Sequence, residues 1–203
     1  MIDEKILSEN FSYVWKSCFP ILTPAYITLL NNSRVIQIKN AVVPKGENSR
    51  WDVVAEYGFN LTRKSLEGKQ SLSKIDASPT RRKKILVDIV NDLYGNSKDE
   101  VELSQSERNE ALLLAQNLRY FLKREYQLTG TQFNPVFSGD GLIPRMAGDI
   151  SITDSTLIEV KTVSRGFRSV DVRQCLLYLA LSSQMNISYD NLVIFNPSGL
   201  SRV

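Results

Sequence analysis

The spacing of hydrophobic positions changes several times along the chain. Within residues 1–30, Leu7, Phe11, Val14 and Trp15 recur three or four apart, the period of one helix face, until Pro20 and Pro24 break the run. Asn31-Asn32-Ser33 reads as a turn. Residues 34–39 alternate and predict a strand, and 44–49 predict a loop. Trp51 to Leu61 has strand-like content in Val53, Val54, Tyr57 and Phe59. The polar stretch 62–78 predicts no definite element. Pro79 stands at a suitable first helical position, and Gly95 is placed to end the helix it opens. The polar residues 96–101 read as a linker. They divide an N-terminal α+β accessory region, 1–100, from a second domain, 101–203.

The second domain carries the clearer periodicity. Residues 104–127 predict a helix, with Ser104 or Ser106 as cap and Leu114, Leu118, Phe121 and Leu122 as its apolar stripe. A short strand at 135–137, a loop at 138–146 and a hairpin over about 148–163 follow. Residues 169–183 predict an apolar helix, and 192–195 a buried strand ended by Asn196-Pro197. The order is helix, strand, strand, strand, helix, strand, an α/β class.

Composition narrows the chemistry. The chain has 203 residues and a net charge of +3, which permits a polyanionic partner without requiring one. Its two cysteines, Cys18 and Cys175, lie in apolar helical patterns and read as buried free thiols of a reducing compartment. No signal peptide is expected, because Met1-Ile-Asp-Glu-Lys runs into no apolar stretch, and no apolar run approaches the ~20 residues of a membrane span. A cytoplasmic protein is expected. There is no histidine. That excludes HNH and HD hydrolases, Ser-His-Asp and Cys-His catalysis, and most zinc sites. Any catalysis must run on carboxylates, lysine and arginine.

One stretch offers that chemistry. Gly148-Asp149 precedes the hairpin, and the hairpin's second strand carries Glu159-Val160-Lys161. Residues two apart on a strand share a face, so Glu159 and Lys161 project together. Two acids and an amine converging at a sheet edge are what metal-assisted phosphodiester cleavage needs. An acid-x-Lys triplet alone carries little, since Asp3-Glu4-Lys5 and Glu67-Gly68-Lys69 are others in the same chain. What discriminates is the conjunction of Gly-Asp, hairpin, Ile-Glu-Val-Lys and a following helix with Gln174 and Tyr178. Read singly, Asp149 could open a hairpin, Glu159 and Lys161 could form a solvated strand face, Gln174 could lie on a helix surface and Tyr178 in a core.

These elements resemble the PD-(D/E)xK nuclease superfamily, in particular its RecB-type branch, over roughly residues 104–196. Gly148 stands where the literal motif has proline, a variant found in that branch. The resemblance implies a restriction-endonuclease-like mixed sheet flanked by helices, with an α-β-β-β-α-β core. It implies Asp149 and Glu159 as ligands of Mg²⁺ or Mn²⁺, with the carbonyl of Val160 completing the set. Lys161 would orient or deprotonate the attacking water, its neutral form favoured by the neighbouring cation. Gln174 and Tyr178 would face the site from one helix. A third acid would come from the preceding helix, Glu110 in the first instance and Glu107 in reserve.

The activity so implied is metal-dependent hydrolysis of phosphodiester bonds, in DNA rather than RNA, in defence against foreign DNA or in repair. A homodimer or a partner protein stays open. Arg165, Arg168 and Arg173 follow the active strand, the first two of them in the loop 165–168, expected to be mobile; they suit phosphate oxygens, or are ordinary surface charge. Arg81-Arg82-Lys83-Lys84 begins a helix, where positive charge opposes the dipole, and hints at a polyanion contact against the plainer reading of a solvated run. Trp51, Tyr57 and Phe59 are expected in the core rather than stacked on bases. The competing functional class is a catalytically idle nuclease-fold subunit that binds nucleic acid or scaffolds a larger complex.

Overall fold

The computed structural model describes residues 4–33, 41–42, 50–95, 102–141, 143–153 and 155–199. The strand expected at 34–39, the loop at 44–49 and the linker at 96–101 lie outside these. The described residues of 1–37 and 128–196 form one compact unit, and those of 38–127 and 197–199 form a second. The boundary expected near residue 100 falls inside the second unit, and the N-terminal helices group with the sheet. No helix among the described residues is long and apolar enough to cross a membrane.

The second unit is helical: α4 (Trp51–Glu67), α5 (Leu72–Asp76), α6 (Pro79–Tyr94) and α7 (Gln105–Glu125). The strand expected over 51–61 is α4 instead. Val53, Val54, Tyr57 and Leu61 are all fully buried, and their spacing of one, three and four residues is that of a helix face. β-branched and aromatic content favours strands only weakly, and burial of a continuous helical stripe overrides it. Gly58 and Thr62 let α4 approach α7 closely. The Thr62 hydroxyl is in hydrogen-bond range of Gly58 O at 3.1 Å and Ala115 O at 3.2 Å. Within the same core, the Tyr57 hydroxyl donates to Asp76 Oδ1 at 2.9 Å. Burial, reinforced by that carboxylate, pushes the phenol far above its ordinary range, so it stays a neutral donor.

The caps are legible in the sequence. Pro79 takes the first position of α6, and Gly95, at φ 74°, ends it. Ser104 opens α7 with a reciprocal capping box. Its hydroxyl accepts from Glu107 N at 3.2 Å, and its own N–H donates to Glu107 Oε2 at 2.7 Å.

The first unit holds α1 (Glu4–Glu9), α2 (Ser12–Cys18), α3 (Pro24–Ser33), α8 (Ser169–Gln184) and all the strands. Asn31-Asn32-Ser33 is the last turn of α3 rather than a separate turn. Cys175 is buried as expected, but Cys18 is exposed. The short α2 buries only Trp15, which leaves its C-terminus in solvent.

A four-stranded sheet runs in the order β1-β4-β5-β6, comprising Thr131–Phe133, Ile150–Ile152, Thr156–Val160 and Asn191–Phe195. β1, β4 and β5 pair antiparallel, while β6 adds parallel to β5, with Glu159 opposite Ile194. A parallel neighbour requires a crossover, and α8 supplies it. Met146–Ala147 (β3) leaves the expected loop to pair with Val136–Phe137 (β2) in a separate two-stranded ribbon. The chain is thus mixed α/β. Along the sequence, α7 and the four-stranded sheet follow the order α, β, β, β, α, β, with the β2–β3 ribbon inserted after the first strand.

One substitution tests the α4–α7 contact. A methyl group at Gly58 would lie 2.9 Å from Ala111 O and 3.2 Å from Leu114 Cβ. Gly58→Ala should therefore destabilise the protein by about 1–3 kcal/mol through overpacking, although alanine is the better helix former by about 1 kcal/mol. Urea unfolding followed by circular dichroism should show the lower midpoint.

Candidate active site

β5 is buried along most of its length, on both faces, yet it carries Glu159, of which only 3% is exposed. It is an interior strand. The set expected at a sheet edge instead lies at the carboxyl end of β5, because β6 pairs on its far side. Lys161 follows directly and still joins the ladder, its N–H donating to Phe195 O at 2.8 Å. The side chains of Glu159 and Lys161 meet, with Nζ 2.7 Å from Glu159 Oε1.

Asp149 approaches from the strand before. Its Oδ2 accepts from Val160 N at 2.6 Å, which ties the carboxylate to the backbone of the active strand. Gly148 explains the Gly-Asp form of the motif. Its N–H donates to Pro135 O at 2.9 Å, a bond that a proline there could not make. Its Cα is also hemmed in, since a Cβ would meet Leu157 and Phe137 at 3.3 Å.

α8 closes the set from the other direction. Lys161 Nζ donates to Gln174 Oε1. Gln174 Nε2 donates in turn to Tyr178 Oη at 2.7 Å. The two residues are four apart, one turn along the helix. Tyr178 is buried and stacks on Phe137, with ring centroids 5.6 Å apart. A continuous polar chain therefore runs Glu159, Lys161, Gln174, Tyr178.

The electrostatics follow from this packing. Burial alone would lower the Lys161 pKa, but the charge and hydrogen bond of Glu159, with Asp149 and Asp171 beyond, outweigh it and raise it. Among these acids the lysine is held as ammonium. Burial pushes the Cys175 thiol well up, and Glu159 adds to the effect, so the thiol behind the site is not a nucleophile.

The other expected residues are placed differently. Glu107 is committed to the α7 capping box and to Arg50, 3.1 Å away. Burial raises its carboxyl, but Arg50 and the Ser104 bonds bring the net below the usual value. Glu110 is buried on α7 in the second unit, and its Oε2 has no hydrogen-bond partner among the described residues. Arg165 is held in a two-pronged contact with Asp171, at 2.7 and 3.1 Å. Arg173 lies over the Trp15 ring at 5.6 Å and donates to Ser8 O at 3.2 Å. Arg168 is exposed, and its backbone N–H donates to Asp171 Oδ2 at 2.7 Å.

Three residues that sequence reasoning missed fix the loop between β5 and α8. Asp171 anchors Arg165 and the start of α8, and its position three residues after the cap is a recognisable N-terminal signal. Asn31 clamps Phe167 on both sides, donating to its carbonyl and accepting from its N–H, each at 2.9 Å. Asn196 Nδ2 donates to Val163 O at 2.6 Å. Nothing local in the sequence marks the last two, because their partners are distant along the chain. The loop expected to be mobile is tied at three points.

The donors fit a hard divalent cation in kind. Two carboxylates and a backbone carbonyl are oxygen ligands, and Mg²⁺ is commonly held by one or two carboxylates plus water and substrate phosphate. Among the described residues, no group of three or more His, Cys, Asp or Glu side chains is arranged to hold a metal. No protein-family model, curated protein or solved structure matches this chain.

The Asp171 anchor makes a pH-dependent prediction. Burial raises its carboxyl, but Arg165 and the Arg168 N–H lower it further, leaving it below its ordinary 3.8. Its contribution is therefore complete above the unfolded value and is lost as pH falls through the folded one. Asp171→Asn should cost about 1–3 kcal/mol near pH 7. Urea titrations should show that gap closing as the pH falls below the ordinary 3.8.

Proposed function

We propose that this protein is a metal-dependent nuclease of the PD-(D/E)xK type, with a restriction-endonuclease-like core and DNA as its substrate. The observation that carries the reading is the convergence of Asp149, Glu159 and Lys161 at the carboxyl end of β5, with Gln174 reaching Lys161 from α8 and Tyr178 holding Gln174. The strand order with its parallel final pair also supports it, since open α/β sheets bind ligands at the carboxyl ends of their strands.

Asp149, Glu159 and the carbonyl of Val160 would hold Mg²⁺ or Mn²⁺. The chemistry a bound ion supplies is a more acidic water and neutralisation of charge on the phosphate. Lys161 would place its ammonium against a phosphate oxygen, where negative charge builds as the bond breaks. Gln174 fixes the direction of that amine, and Tyr178 fixes Gln174. Glu159 and Tyr178 are buried and the other members half-buried, which strengthens the interactions of the set relative to open water.

The second reading is an idle nuclease-fold module that binds nucleic acid or scaffolds a complex. One feature favours it: Glu159 is already neutralised by Lys161. Cleavage of linear and circular DNA, single- and double-stranded, in Mg²⁺, Mn²⁺ or EDTA decides between them. The nuclease reading expects metal-dependent cleavage that falls at least ~10²-fold in Asp149→Ala and in Lys161→Ala, with circular dichroism confirming that both fold. Cleavage that persists undiminished in both variants would remove the assignment, and absence of cleavage in the parent protein favours the idle module.

A further inference from the structure

With Arg165 and Arg173 engaged in internal contacts, the strongest unabsorbed cationic feature lies on α6. Arg81, Arg82, Lys83 and Lys84 follow one another in its first two turns, and no acidic residue accompanies them in the first turn. Cations in the first turn oppose the helix dipole. Arg81, Lys83 and Lys84 are exposed, and among the described residues Arg81, Arg82 and Lys84 enter no ion pair.

The run also has shape. A cavity of about 490 Å³ is lined by Pro79, Thr80, Arg82, Lys83, Lys84, Leu86, Val87 and Glu102. Apart from Glu102, these residues follow the three-and-four spacing of one broad face of α6. Three cations and one acid therefore face a recess of the size that takes a small ligand or one segment of a polymer. Arg82 is tethered at one side, its Nη1 donating to Asp76 O at 2.8 Å. Val87, 48% exposed, adds an apolar wall beyond the cations.

We infer that this face of α6 binds the phosphodiester backbone of a nucleic-acid strand. Consecutive cations beside an apolar wall fit a polymer with a charged backbone and flat, weakly polar bases better than they fit a purely anionic surface. The inference deepens the nuclease reading and rests on it for the identity of the polyanion, but its test does not require cleavage.

The test measures binding of a fluorescein-labelled 20-nucleotide DNA strand of mixed sequence by anisotropy. The full chain carries Lys161→Ala and is kept in EDTA, so that nothing is cut. Lys83→Gln with Lys84→Gln should weaken binding on the order of tenfold and reduce the slope of log K against log salt by about 1.4, two contacts at about 0.7 each. Lys123→Gln with Arg124→Gln, exposed cations on α7, removes the same net charge and should leave the slope unchanged. Equal loss in both pairs, or in neither, overturns the inference. So does equally α6-dependent binding to vesicles of phosphatidylserine and phosphatidylcholine, which assigns the face to a membrane surface. Failure of the nuclease reading looks different: the parent protein fails to cleave while α6-dependent DNA binding persists.

Discussion

Glu159 stands on a strand buried on both faces, where an isolated carboxylate is costly. The pairing with Lys161, two residues on and 2.7 Å away, is what makes that position tenable. An ion pair in such a place is weak evidence of stability, because desolvation offsets most of its attraction. Well-packed apolar residues would serve the fold at least as well. The arrangement therefore calls for a reason beyond folding, and the convergence of Asp149 and Gln174 on the same two side chains supplies one.

The surrounding structure holds this pair in register. β6 pairs parallel to β5 and carries the ladder through Lys161 N, so the lysine's backbone is fixed just beyond the last strand residue. Asp149 is fixed by the Val160 N–H, and Gly148 by Pro135. The crossover from β5 to α8 is secured by Asp171, Asn31 and Asn196. That crossover sets where Gln174 and Tyr178 face. Arginines that sequence reasoning assigned to the substrate, Arg165 and Arg173, are among the groups that hold this scaffold.

Legibility in the sequence followed the range of the physics. Helix caps at Ser104, Pro79 and Gly95 depend on neighbours within a few residues, and they were readable. A strand's period made the Glu159–Lys161 pair readable and a helix's turn the Gln174–Tyr178 pair, while the meeting of the two pairs was expected only from the family resemblance. α4 was misread as a strand because Val53, Val54 and Phe59 have strand preferences, while the burial that decides the matter comes from Ala111, Leu114 and Ala115, more than fifty residues away. The charge balance at Lys161 was not legible for a similar reason, since burial is set against three acids in space rather than along the chain. Asn31 and Asn196 had no signal at all.

The central claim is that the Asp149–Glu159 set is built for a divalent cation and not merely for Lys161. Titration with Mn²⁺, followed by electron paramagnetic resonance of the free ion, tests this without depending on substrate. The account predicts binding by the parent protein that is abolished in Asp149→Asn and Glu159→Gln, both still folded. Absence of Mn²⁺ binding, or binding that survives both substitutions, would contradict it.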